Sequence, residues 1–474
     1  MKKEDIDSLQ LEKFGYHQQL NRTMGGFSSF AISFSLISVL TGIFANFNYG
    51  FAQVGGMVVW SWLLVGIGQF LVALVMADLS KHFPISGYGY QWVSRLVNPH
   101  IGFFVGWFLI VQFITGFPGT SQAMAGTLSA MLGGETYGWN VSLMTLGIIS
   151  LVTIIHLSGI KWASIINNLG VYVELVGVFL LILALALIWI LAGAVDTNNL
   201  FLAANALKGH SVGITSFSLS LLLGAWCLTG FEAAADLAEE TKSPGKNVPR
   251  AVILSQVSAV VGGFLIIVFL VLSAGDITQT QQKENALLFI LENTLGTRIT
   301  AALGIFVIIS IFACAVASMA TASRLIFSMA RDNMLPFGEK IAKVNYSKKT
   351  PQSATLLIWF LSSLIVVGFR RIEIITSVGA VAAYIGYSGI MFSTIYTSKG
   401  YLDKKWNGLR VLALIWTILV VAALSIPKTD IPGISFKHLP AASSVIAGII
   451  GFIVYWFFLK NKIKKGEAGP KSNF

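Results

Sequence analysis

The sequence predicts an all-α integral membrane protein with twelve transmembrane helices. Three observations carry that expectation. The 474-residue chain is 55% hydrophobic and only 11% charged, with a mean hydropathy of +0.76, whereas soluble chains carry about 25% charged residues. Apolar runs long enough to cross about 30 Å of hydrocarbon recur along its whole length. Strand-period alternation is absent, which argues against a β-barrel. Too little polar sequence remains to cover several soluble cores, so a soluble enzyme, a disordered chain and a secreted disulfide scaffold are disfavoured.

The elements follow in order. Residues 1–25 are expected as a polar cytoplasmic segment. They are too long for the short basic leader of a signal peptide, and no small-residue cleavage pattern follows the first apolar run, which is expected to be retained. The runs fall at 26–50, 56–80, 100–130, 138–158, 164–193, 213–236, 250–274, 299–329, 353–370, 373–397, 408–426 and 440–460. Residues 461–474 form a basic tail.

With the N-terminus inside, 25 Lys and Arg residues fall on inside segments and 7 outside. Positive charge concentrates on the cytoplasmic side, so both termini are expected in the cytoplasm and the chain in the plasma membrane. The Arg370-Arg371 turn, expected outside, is the local exception. The basic tail suits an ordinary positive flank or contact with anionic lipid. The net charge of +11 does not point to nucleic acid, because no basic stretch alternates with aromatics in a soluble segment. Cys227 and Cys314, both in apolar runs, make neither a disulfide framework nor a metal cluster. No cofactor and no metal are expected.

Two runs are interrupted. The first has Ser38, Val39, Leu40, Thr41, Gly42 and Ile43 at its middle; the sixth has Leu228, Thr229, Gly230, Phe231 and Glu232. Each carries a Thr-Gly pair followed by an apolar residue. Glycine there loosens the helix and bares peptide groups. Hydrocarbon tolerates bare groups only where they line a cavity or are buried in protein. Paired interruptions in corresponding halves are the best sequence pointer to a transporter's central site. Free N–H groups attract an anion and free C=O groups a cation, so a zwitterionic amino acid suits both. Close helix packing also uses glycine, and each pair taken alone fits that better; it is the matched positions, five spans apart, that point to a site.

Charges at membrane depth are costly and few. Glu232 follows the second interruption, with Asp236 and Glu239 four and seven residues on, so a continuous helix would align all three on one face as an acidic wall; for Asp236 and Glu239, nearer the cytoplasmic end, a solvated or salt-bridged terminus is the favoured reading. Glu174 lies deep in the fifth run. Glu232 and Glu174 are the candidates for carrying a coupling proton; the alternative for each is a structural carboxylate. Asp78 and His156, near the ends of their runs, are expected to be structural. Trp226 lies too deep for an interface anchor and either contacts a substrate amine by cation–π attraction or packs.

Three stretches then carry a resemblance. Phe83-Pro84-Ile85-Ser86-Gly87-Tyr88-Gly89-Tyr90-Gln91-Trp92 follows the second run. Gly230-Phe231-Glu232-Ala233-Ala234 precedes Glu239-Glu240-Thr241, Pro244, Pro249 and Arg250. Ala330-Arg331-Asp332-Asn333-Met334-Leu335-Pro336 ends the eighth run. In this order, over about residues 15–460, the sequence resembles the amino acid–polyamine–organocation superfamily of secondary transporters. The resemblance implies a leucine-transporter-like fold. Residues 26–200 and 201–398 would form two inverted five-helix repeats, and 399–460 two peripheral helices. It implies a site between broken helices 1 and 6, closed by helices 3, 8 and 10. Thr41, Gly42 and Ile43, just after Ser38, resemble the family's carboxylate-binding region, with Leu40 in place of a first glycine. Ala225, Trp226 and Leu228, ahead of Gly230, resemble positions that offer carbonyls and an aromatic wall to an amine. Glu232 resembles a glutamate implicated in proton coupling in some relatives. Some proton-coupled members hold a lysine in helix 5, where this chain holds Glu174. The first span, with Asn167, Asn168 and Glu174, looks most like the amino acid/choline branch, which includes γ-aminobutyrate permeases.

The expected function is secondary active transport of a small amino acid or γ-aminobutyrate-like solute by alternating access, coupled to protons or to sodium, in a monomer or homodimer. A substrate–product exchanger and a polyamine or choline carrier are the alternatives. A channel should show charged rings or filter-like loops, and a membrane enzyme a catalytic cluster; the sequence displays neither.

Overall fold

The computed structural model describes residues 3–192, 197–203, 213–345, 348–397, 403–426 and 439–470. Lys2, Lys208, Lys399, Lys428, Lys437 and Lys471, used above for orientation, lie outside these residues, as does the expected boundary at 398–399. Among the described residues the chain is helical, with an isolated bridge between Met24 and Thr241.

The helices are α1 (Lys3–Glu12), α2 (Gly26–Ile37), α3 (Val39–Val54), α4 (Val58–His82), α5 (Tyr88–Leu96), α6 (Pro99–Met131), α7 (Trp139–Ser158) and α8 (Ile160–Ala192). After them come α9 (Ile214–Ser220), α10 (Leu222–Cys227), α11 (Ala233–Asp236), α12 (Pro244–Leu272), α13 (Ile277–Gln281), α14 (Ala286–Leu295) and α15 (Thr297–Arg331). The last are α16 (Gly338–Ile341), α17 (Gln352–Gly368), α18 (Ile372–Tyr396), α19 (Asn407–Leu424), α20 (Leu439–Val454) and α21 (Lys460–Lys464).

Among the described residues, 9 helical stretches are long and apolar enough to cross a membrane. The first, Gly26–His82, joins the runs expected at 26–50 and 56–80. The runs expected at 213–236 and 353–370 appear as the shorter apolar helices Ile214–Cys227 and Gln352–Gly368. Burial orders the bundle. In their most apolar stretches α18 is 83% buried and α6 67%, against 22% for α8 and 17% for α20. The first two therefore sit at the centre and the last two face lipid. The exposed apolar side chains of α8 and α20 need no covering, because lipid tails are as apolar as leucine.

Small residues set the close approaches, as expected where packing rather than water drives helix association. A Cβ built on Gly263 of α12 would fall inside the indole of Trp62 on α4, and one on Gly68 of α4 inside that of Trp416 on α19. The Trp62 ring nitrogen donates to the Val260 carbonyl at 3.0 Å, locking α4 on α12. His156 bonds the Val316 carbonyl at 2.9 Å, and Asp78 meets Arg410 at 3.5 Å; both act in packing.

Both described chain ends lie at one end of the bundle. The Tyr16 hydroxyl donates to the Asp332 carboxylate at 2.9 Å, and the Gly469 amide to the Asp332 carbonyl at 2.9 Å. This is the terminal end. At the far end Arg370 stacks 3.9 Å from the Trp139 ring and Arg371 4.4 Å from that of Tyr137. Aromatic faces thus hold the two cations that ran against the charge rule.

Gly263→Val should lower stability by about 1–3 kcal/mol through overpacking, read as an earlier thermal midpoint in detergent. Gly262→Ala should leave it unchanged, since a Cβ there meets only Val178 at 3.5 Å. Equal midpoints for the two variants would remove the Trp62 contact as a determinant.

Candidate functional site

The first interruption lies at Ser38. Its backbone is left-handed, φ 38° and ψ 92°, a conformation that costs a non-glycine residue about 1–3 kcal/mol and persists only where the surroundings impose it. α2 ends before it and α3 begins after it. The Ser38 side chain caps the new helix, accepting from the Thr41 amide at 3.3 Å, and its hydroxyl pairs with that of Thr41 at 2.6 Å. The expectation of a break at Thr41-Gly42 is therefore corrected: both residues sit in the first turn of α3. Gly42 is small for another reason. A Cβ there would fall inside the Cys227 side chain, so it is where α3 meets α10.

The second interruption runs over residues 228–232, between α10 and α11. Gly230 has φ 111°, the left-handed region open to glycine. The Leu228 carbonyl accepts from Gln69 of α4 at 3.2 Å. The Phe231 carbonyl accepts from the Ser33 hydroxyl at 2.8 Å, and the Ala234 amide donates to Ser33 at 2.9 Å. Two thiols cap the end of α2. Cys314 of α15 donates to the Leu36 carbonyl at 3.4 Å, and Cys227 lies 3.8 Å from the Ser38 carbonyl. The cysteines thus serve as soft donors to bare peptide groups.

A small cavity of about 30 Å³ lies between the two breaks. Leu36 and Ile37 line it from α2, and Trp226, Thr229 and Gly230 from the second break. Gln112, Phe113, Gly116 and Thr120 line it from α6, Cys314 and Ser318 from α15, and Gly379 from α18. Of the candidates named from sequence, Trp226 and Gly230 reach it. Ser38 lies one residue beyond its lining, and Thr41, Gly42, Ile43, Ala225 and Leu228 are buried behind it. The α6, α15 and α18 residues were not named from sequence. Their one trace is small residues within apolar runs, such as Gly116 to Thr120 around Pro118.

Glu232 ties three elements together. Its carboxylate accepts from Tyr387 of α18 at 2.7 Å, from Gln112 of α6 at 3.1 Å and from the Gly230 amide at 3.0 Å. Glu174 of α8 is fully buried and makes no close hydrogen bond, but it lies beside the Ser38 hydroxyl and the Val39 and Leu40 amides. It therefore sits against the positive end of α3. The expected acidic wall is corrected. Helix α11 ends at Asp236 and a tight turn, Ala238–Glu240, follows. Asp236 stays buried near Glu232, while Glu239 and Glu240 turn to arginines.

Those arginines close the terminal end. Arg324 forks onto Glu240 at 2.7 and 3.3 Å, and Arg331 onto Glu239 at 3.0 and 3.0 Å. Arg324 and Glu240 are each 1% exposed, and such bidentate pairs are strong when desolvated. Tyr16 lies under Arg331, 3.8 Å from ring centre to guanidinium. Asp332 accepts from Tyr16, from Tyr90 at 2.8 Å and from Gln91 at 2.8 Å. Burial raises the Tyr16 phenol above its usual range, the Asp332 charge adding to it, so the phenol stays protonated and keeps donating. Burial pushes Asp332 up, and the Arg331 charge and the two tyrosine donors oppose it. Met24 pairs with both neighbours of Thr241: its amide donates to Glu240 at 2.9 Å and its carbonyl accepts from Lys242 at 2.8 Å.

The profile of the family described as amino acid permease matches residues 24–458. The chain belongs to the amino acid permease family, within the amino acid–polyamine–organocation superfamily. This permease is similar to the amino-acid permease BAT1 of Arabidopsis thaliana, 28% identical over 99% of this chain and 97% of that protein. The BAT1 homolog of Oryza sativa subsp. japonica is 26% identical over 89% of this chain and 88% of its own length. A Candida albicans protein named as a putative polyamine transporter is 25% identical, covering 99% and 90%. The permease is thus a multi-pass membrane transporter and not an enzyme.

Arg324→Ala should cost the permease about 3–5 kcal/mol, because it strands a buried carboxylate. Arg324→Leu with Glu240→Leu should cost much less than the two single changes combined. Thermal unfolding of the three variants in detergent measures this, and additive losses would deny the pair.

Proposed function

We propose that the permease moves a small amino acid or γ-aminobutyrate-like solute across the membrane by alternating access. The observation that carries this reading is the pair of helices interrupted side by side, at Ser38 and at residues 228–232, around one cavity. The solute carboxylate would meet the start of α3, around Ser38, Thr41, Gly42 and Ile43. Its amine would meet the carbonyls near Ala225, Leu228 and Gly230 and the ring of Trp226. No charged side chain lines the cavity among the described residues, which favours a zwitterion held by peptide dipoles over a polyamine that needs several acids. The architecture in this reading is twelve spans in two inverted five-helix repeats with two peripheral helices, and the lipid-facing α20 supports the last of these. The terminal end is cytoplasmic, supported by the 25:7 distribution of basic residues. The Arg324–Glu240 and Arg331–Glu239 pairs then form a closed inner gate.

Protons are the proposed coupling ion, with Glu174 as the carrier. The unequal bonding of the two carboxylates supports this choice. Protonating Glu232 would force one of three close contacts to be remade, whereas Glu174 has only looser neighbours, the Ser38 hydroxyl and the Val39 and Leu40 amides. Its place at the start of α3 makes it a rival of the substrate carboxylate for the same amides. Neutralising Glu174 would free that positive end for the solute.

Purified protein in liposomes should accumulate a labelled amino acid when the lumen is alkaline. Unchanged uptake after the pH gradient is collapsed would remove proton coupling. Glu174→Gln should abolish uphill accumulation while keeping exchange of labelled for unlabelled solute, and equal loss of both would assign it a structural role. Gly42→Leu should drive α3 off Cys227 and lower solute affinity at least tenfold; wild-type affinity would move the site elsewhere.

A further inference from the structure

One large space plays no part in transport across the central cavity. Helices α6, α15, α17, α18 and α20 border a groove of about 570 Å³. The α20 wall is the stripe Ser443, Ile446, Ala447, Ile450 and Val454. The α17 side supplies Leu357, Leu361 and Ile365, and Phe369 follows beyond that helix. Among the lining residues only Thr115 and Ser443 carry hydroxyls, and Thr115 already donates to the Val111 carbonyl at 2.8 Å. Such a lining offers water nothing. From Leu357 to Phe369 it rises about 18 Å at 1.5 Å per residue, more than half of the hydrocarbon thickness of about 30 Å. The flanking helix α20 faces lipid, so the groove lies within reach of a chain from the bilayer.

Its mouth at the terminal end is marked by charge. There the lining passes to Leu335, Pro336, Phe337 and Ile341, and Phe337 is 75% exposed. Helix α20 continues past Val454 through a wide turn, Tyr455–Leu459, into α21, so Lys460 lies about 9 Å beyond the groove wall. The chain then doubles back. The Gly469 amide donates to the Asp332 carbonyl at 2.9 Å, and the Asn333 side chain donates to the Glu467 carbonyl at 3.3 Å. This pins the basic tail two residues from Leu335. Lys340, Lys462, Lys464 and Lys465 are exposed there, against the acids Glu339 and Glu467.

We propose that this groove is a binding site for an anionic glycerophospholipid, with an acyl chain between α17 and α20 and the phosphate headgroup at Lys340, Lys462, Lys464 and Lys465. An apolar slot at membrane depth opening onto a cluster of lysines is complementary to that class of molecule at both ends. A zwitterionic lipid matches the slot but not the cluster. Near an anionic surface each lysine strengthens attraction by about fivefold.

The test uses the full chain in detergent, equilibrated with equal amounts of phosphatidylglycerol and phosphatidylcholine, with bound lipid identified by native mass spectrometry. The wild type should retain phosphatidylglycerol at least fivefold over phosphatidylcholine. Lys340→Ser with Lys462→Ser, Lys464→Ser and Lys465→Ser should keep bound lipid but lose the preference. Leu361→Trp, which fills the slot, should retain at least fivefold less of both lipids. Ile446→Trp, on a side chain 56% exposed, repeats that test should the first variant not fold. Equal retention of both lipids by the wild type, or an intact preference in the lysine variant, overturns the headgroup assignment. Undiminished retention in the folded tryptophan variants overturns the groove. Efficient cross-linking of two copies through Ile446→Cys in native membranes also overturns it, by giving the face to a second chain. Bound lipid is read without solute transport, so failure here leaves the transport reading standing.

Discussion

An unpaired peptide group in hydrocarbon costs several kcal/mol, and this fold places two rows of them side by side. Most of the structure around Ser38 and Gly230 exists to satisfy them. The Ser38 hydroxyl takes the Thr41 amide, Ser33 spans the Phe231 carbonyl and the Ala234 amide, and Gln69 takes the Leu228 carbonyl. Even the two cysteines turn toward carbonyls of the first break. The cavity they surround carries Gln112, Thr120, Thr229 and Ser318 as its polar side chains beside Trp226.

A second requirement is to close one end around buried charge. Arg324 and Arg331 leave α15 about two turns apart and each finds a glutamate from the turn after α11. Tyr16, Tyr90 and Gln91 bring the N-terminal segment and α5 onto Asp332. A buried pair of this kind is poor evidence for stability, because desolvation offsets much of the attraction. Under the proposed alternating access, these pairs would part when that end opens.

The sequence displayed the membrane class, the order of the apolar runs and the two interrupted helices, because each rests on local composition. It also displayed the three motifs that mark the family. Of those motifs only Gly230 reaches the cavity lining. Ser86, Gln91, Glu239, Glu240, Arg331 and Asp332 all gather at the terminal end, where charges and tyrosines leave a pattern readable in one dimension. Beside Gln112, Phe113 and Cys314, the lining of α6, α15 and α18 consists of Gly116, Thr120, Ser318 and Gly379, small residues that look the same whether they face a solute or a neighbouring helix. The break at Ser38 was missed by three residues for a related reason. Glycine is the expected breaker, but Gly42 serves packing against Cys227, and a serine that caps its own successor carries the strain. The face that Glu232, Asp236 and Glu239 would share does not form, because the helix stops after one turn, whereas the ion-paired terminus expected for Glu239 does.

The ties on α2 have a mechanical meaning. Met24 bonds the chain on both sides of Thr241 at its start, and Ser33 grips Phe231 and Ala234, where α11 begins, near its end. Helix α2 and residues 231–242 are thus stapled at two points about a dozen ångströms apart, and they can travel only as one lever. Its pivots are the two left-handed residues, Ser38 and Gly230, and its load is the pair of glutamates that latch onto α15. A single swing of that lever would unlatch both ion pairs while leaving the upper halves of the broken helices at rest.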